Sequence, residues 1–120
     1  MNDIDQEEHR LAALAAGYKV KRDRDMDTDF LMDEDRVVAI DGQWSPKTDK
    51  ADNFDLMTTC NIIAGFSKKE NKAIAVHPYT DIKCETGGHD TPADDLMQAI
   101  FNCAAAVGIT MEEINEQAAD

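Results

Sequence analysis

The sequence predicts an α+β domain: an α-β-α sandwich in which a small antiparallel or mixed sheet is covered by helices. Three observations carry this. Segments with apolar residues spaced by three and four alternate with short β-branched and aromatic runs, in the order helix, strands, helix, two strands, helix. Several strand pairs lie close enough in sequence to be hairpins, which favours antiparallel pairing over a doubly wound sheet. The length of 120 residues and a hydrophobic content of 42% fit a single domain with its own core. Within it, residues 1–17 are expected to form the N-terminal helix, 18–109 the sheet-and-helix core and 110–120 a short acidic C-terminal helix.

The first helix is predicted over 4–16. Asp3 serves as N-cap with Gln6 three residues on, in the manner of a capping box. Asp5, Glu7 and Glu8 suit the positive end of the helix dipole. Leu11, Leu14 and Ala15 share one side, and Gly17 supplies the left-handed stop. Residues 18–21, 30–32 and 36–40 read as strands bounded by acidic turn material. Asp41-Gly42 marks a turn, and Pro46 holds Ser45 extended after Trp44.

A second helix is predicted from Thr48 or Asp49 to Ala64, on the spacing of Phe54, Met57, Cys60, Ile63 and Ala64, with Gly65 ending it. The lysine-rich run 67–72 is a solvated connection. Residues 73–77 and 79–84 are strands separated by Pro78, and 87–90 form a loop. The third helix has Thr91 as N-cap and Pro92 at its first position, where a missing N–H costs nothing. Its apolar stripe includes Leu96, Met97, Ile100, Cys103, Ala104 and Val107, and Gly108 is expected to terminate it. Thr110 with Glu113 then forms a second capping box, opening the last helix near Met111.

Charge narrows the function classes. Twelve Lys and Arg face 25 Asp and Glu, a formal net charge of -13. Phosphate neutralisation requires clustered cations, so this balance argues against direct nucleic-acid binding. It equally disfavours adsorption to an anionic membrane. No apolar run approaches the roughly 20 residues of a membrane span. The acidic N-terminus lacks the basic start of a secretory signal, so a cytoplasmic protein is expected. Cys60, Cys84 and Cys103 are odd in number and widely spaced, which fits a reducing compartment rather than a disulfide framework.

Two runs carry a family resemblance. WSPKTDKADNFDLM (residues 44–57) resembles the aromatic-Ser/Asn-Pro-x-x-Asp-x-Ala helix opening of phage ABA-sandwich domains. TPADDLMQAIFNCAAAVGI (residues 91–109) resembles their final helix, in which a Thr-Pro cap precedes an Ala-Ile-x-x-Ala-Ala stripe. The resemblance implies a compact α-β-α sandwich from a bacteriophage or prophage. It implies no catalytic residues, and the acidic segment 23–35 departs from it.

That segment is the first candidate for chemistry. Asp23, Asp25, Asp27 and Glu34 fall at positions one, three, five and twelve of an EF-hand calcium loop, with Asp29 as a further carboxylate. A hard cation wants such converging oxygens. Thr28, however, stands where the loop requires Gly, and both flanks read as strands, so an acidic solvated hairpin competes with the metal site. Cys60, His77, Cys84 and His89 lack tight zinc spacing. Cys84 and His89 flank a Gly-Gly turn without a nucleophile elbow. Asp33, Asp35 and Trp44 are the candidate contact residues for a protein partner, with Trp44 read more readily as a packing anchor that covers the sheet edge.

The expected function is that of a small acidic phage accessory protein. It would act non-enzymatically, binding a host or phage protein without a cofactor beyond weak calcium. The alternative is an acidic nucleic-acid mimic that inhibits a host defence complex, in the manner of an anti-CRISPR. A calcium-binding module built on 23–34 stands third.

Overall fold

The computed structural model describes residues 3–40 and 43–119. Helix α1 (Asp3–Ala16) leads into a three-stranded antiparallel meander, β1 (Lys19–Asp23), β2 (Thr28–Asp33) and β3 (Arg36–Ile40). Helix α2 (Lys50–Thr59) separates it from a second antiparallel meander, β4 (Ile63–Ser67), β5 (Lys72–Val76) and β6 (Lys83–Thr86). Helix α3 (Pro92–Ala119) closes the chain. The architecture is therefore α+β, as expected, with its strands divided between two sheets. The side chains of the capping box expected at Asp3 and Gln6, and the turn expected at Asp41-Gly42, lie outside the described residues.

Each helix boundary has a local cause. Gly17 takes φ 80°, and the amides of Gly17 and Tyr18 donate back to Leu14 and Ala13 at 3.0 and 2.9 Å. This is a Schellman cap. Helix α2 opens on Asp49, whose Oδ1 accepts the Asp52 amide at 3.0 Å. It closes earlier than expected. Asn61 adopts φ 60°, and Ile62 N donates to Met57 O at 2.9 Å, so the chain turns out of the helix before Ile63. The segment 63–67 is consequently strand β4, and Gly65 lies inside a strand rather than at a helix end. Phe54 and Ile63, expected on the buried face, are each 62% exposed, and the buried positions of α2 are Asn53 and Leu56.

Helix α3 also departs from expectation. It runs unbroken for 28 residues through Gly108. A Cβ at Gly108 would come within 2.9 Å of Leu11 Cα and closer still to the Leu11 carbonyl, so the glycine lets α3 and α1 touch backbone to backbone. Thr110, expected to cap a new helix, instead donates its hydroxyl to Ala106 O one turn back at 3.3 Å. Thr91 does cap the helix start, its Oγ1 accepting the Asp94 amide at 3.1 Å.

The core gathers around α3, which packs on α1, on α2 and on all three strands of the second sheet. Ile100, Phe101, Cys103 and Ala104 meet Leu56 of α2 and Ala73 and Ala75 of β5. Small residues at alternate positions of β5 let the helix sit close to the sheet. Asn53 Nδ2 donates to Pro46 O (2.8 Å) and Met97 O (3.0 Å), tying α2 and its preceding loop to α3.

The first sheet stands apart. Its strands carry no buried residue. Leu31, Val38 and Ala39 touch the core, while Arg36 reaches Asp55 of α2 at 3.1 Å. The radius of gyration, 14.9 Å, exceeds the about 13.5 Å of a compact chain this long.

Candidate functional site

The acidic segment builds a hairpin rather than a metal loop. Asp23 Oδ1 accepts the amides of Asp25 (3.0 Å) and Met26 (3.1 Å) and so closes the β1–β2 turn. Arg22 holds both Asp27 and Asp29, the latter at 3.1 Å. Asp25 is exposed. Glu34 lies in the next turn with φ 54°, separated from Asp27 by the length of β2, roughly 20 Å of extended chain. The five carboxylates suggested for calcium thus do not converge, and strands flank them where an EF-hand needs helices. Among the described residues, no group of three or more His, Cys, Asp or Glu is placed to hold a metal ion.

The thiols and imidazoles are committed to structure. Burial, with Cys103 beside it, pushes the Cys60 thiol up to about 12. Burial next to Cys84 does the same to Cys103, also to about 12. The Cys84 thiol is raised by burial and pulled partly back by a hydrogen bond with Cys103. Thiols held protonated are poor nucleophiles. His89 places Nδ1 2.7 Å from the buried carboxylate of Asp95, and Asp95 also accepts the His89 amide at 3.0 Å. His77 Nδ1 lies 3.0 Å from Thr80 Oγ1 in the β5–β6 turn. Among the described residues no hydrogen bond joins Cys84 to His89.

Of the candidate contact residues, Trp44 takes the packing role and not the contact role. It is only 8% exposed and packs edge-on against His9 and Tyr18, both with ring centroids at 5.9 Å. Its large apolar ring belongs to the core and cannot face a partner. Asp33 pairs with Arg36 at 3.2 Å, and Asp35 is exposed in the β2–β3 turn.

A surface that sequence reasoning passed over is more distinctive. Antiparallel register puts Lys19 opposite Met32 and Lys21 opposite Phe30. On the other side of β2, Phe30 faces Ile40 and Met32 faces Val37, with a bulge between. Directly opposed residues share a face. Phe30, Met32, Val37 and Ile40 therefore form one apolar face, bordered by Lys19 and Lys21. The opposite face carries Leu31 and Ala39, which touch the core. The outer face is open: Val37 is 48% and Ile40 44% exposed. A shallow groove of about 400 Å³ crosses it, its lining including Phe30, Met32, Val37, Lys21 and Arg24. The signal for it lay in the runs FLM (30–32) and VVAI (37–40), which are apolar at consecutive positions. A strand apolar at every position offers an apolar side chain to both faces.

No helix among the described residues is long and apolar enough to cross a membrane. Comparison with protein-family models, curated proteins and solved structures finds no match for the chain, and so no enzyme family or catalytic relative among them.

Proposed function

We propose that this chain is a non-enzymatic accessory protein that acts by binding another protein through the outer face of the β1–β3 sheet. One observation carries the reading: both faces of this sheet are apolar, yet only one is packed against the core. A sheet with two apolar faces is built to be a middle layer. A bacteriophage or prophage origin is supported by the resemblance of residues 44–57 and 91–109 alone. Nucleic-acid mimicry ranks second. It rests on the net charge, and within 23–35 three of the seven carboxylates (Asp27, Asp29 and Asp33) are already ion-paired.

Affinity capture from host and phage-infected lysates, with wild type and the Met32→Asp/Val37→Asp variant side by side, tests this. Both substituted positions face outward, so circular dichroism should show the fold retained. Proteins captured by wild type and lost by the variant are expected. An identical set from both proteins overturns the reading.

A further inference from the structure

The outer face of the first sheet also carries information about what would cover it. In a chain with 25 acids and 12 bases, most cations would be expected to find a carboxylate. Arg10, Arg22, Arg36, Lys47, Lys72 and Lys83 do so. Lys19, Lys21 and Arg24, like Lys50, Lys68 and Lys69, form no ion pair among the described residues, and the first three all belong to β1 or the turn that follows it. Lys19 and Lys21 project from the same face as Met32 and Phe30, and Arg24 lines the groove. Asp23 and Asp25 line it too, but the Asp23 carboxylate is committed to the turn amides. Of the six cations without an ion pair among the described residues, Lys19, Lys21 and Arg24 are the ones that border the apolar floor.

Dimensions select the shape of the occupant. Three strands spaced about 4.8 Å apart give a surface roughly 10 Å across, the width of one α-helix. Strands of five and six residues run roughly 17–20 Å, which matches about 12–14 helical residues. An added strand at the β1 edge would leave the floor of Phe30, Met32 and Val37 uncovered, and edge lysines discourage such pairing. A single helix laid across the sheet covers the floor and brings its flank to the cations.

We propose that the outer face of β1–β3 binds an acidic amphipathic helix of a partner protein. Its apolar side lies on Phe30, Met32, Val37 and Ile40, and its carboxylates meet Lys19, Lys21 and Arg24. The proposal rests on the reading of this face as the binding surface and adds the chemistry of the partner.

The test uses the full chain and three synthetic peptides of about 14 residues. One places Leu at i, i+3, i+4, i+7 and i+11 with Glu elsewhere, the second replaces Glu by Lys, and the third scrambles the first. Binding is followed by isothermal titration and by amide chemical shifts. The Glu peptide should shift resonances within 19–40, bind about tenfold or more tighter than the other two, and weaken as salt rises. Lys19→Glu/Lys21→Glu should cost it about tenfold with the fold unchanged by circular dichroism. Equal binding of the Lys or scrambled peptide, shifts outside 19–40, or no binding at all overturns the proposal. Self-association through the face that the Glu peptide cannot displace overturns it as well. If the peptides fail while captured proteins are still lost on Met32→Asp/Val37→Asp, the face remains a binding surface for a partner of other chemistry. If both experiments fail, the binding reading falls with the proposal.

Discussion

At Gly108 a single hydrogen in place of a side chain decides how two helices meet. The backbone of Leu11 occupies the space a Cβ would need, and backbone cannot rotate away as a flexible side chain does. Gly108→Ala must therefore push α1 off α3, and the Leu11 and Ala12 side chains lose their packing with it. The expected cost is about 3 kcal/mol, at the upper end of overpacking effects. Gly65→Ala is the control. That position lies in β4 with open space where the Cβ would go, and its φ is not left-handed. There the loss of chain entropy in the unfolded state should leave stability unchanged or raised by about 0.5 kcal/mol. Urea unfolding of the two variants measures the contrast. A mild Gly108→Ala would mean that the helices can separate without cost.

At the scale of elements, α2 is held by a buried amide as well as by the fully buried Leu56 side chain. Asn53 is 4% exposed, and its Nδ2 joins the carbonyls of Pro46 and Met97. Asn53→Ala removes two hydrogen bonds and takes the side-chain donor from Pro46 O, while Met97 O keeps its partner within helix α3, an expected loss of about 1–3 kcal/mol in a urea titration. A loss below about 0.5 kcal/mol would show that water replaces the amide at both carbonyls. The same helix shows what could be read in advance. The start at Asp49 and the stop of α1 at Gly17 were legible because each uses the residue chemistry usual for its position. The end of α2 was not, because Asn61 performs the left-handed turn that Gly65 seemed better suited to make. Gly108 misled in the opposite sense: a glycine that stops one helix serves, in another, the close approach of a neighbour. The outer sheet face was hidden for a related reason. Consecutive apolar residues announce a strand, but whether its second face is covered depends on chain distant in sequence.

The molecule as a whole divides into a packed body and a projecting sheet, and this division predicts its dynamics. Strand β5 holds Ala73 and Ala75 at full burial against α3, whereas β1, β2 and β3 contain no buried position. Opening a segment costs roughly what its buried contacts contribute, so the first sheet should open well before the core. Native-state hydrogen exchange is expected to give amides within 19–40 protection at least about tenfold lower than those of β5 and the middle of α3. The difference should narrow in mild denaturant, which raises global opening but changes local opening little. Uniform protection across both sheets would instead make the molecule one cooperative unit and remove the distinction. An element of low local stability is also one that a partner can order, because covering the outer face supplies the layer that the sheet lacks. Occupancy of that face should therefore raise protection in 19–40, and, because global unfolding also releases the partner, raise that of the amides of β5 and α3 by a similar factor.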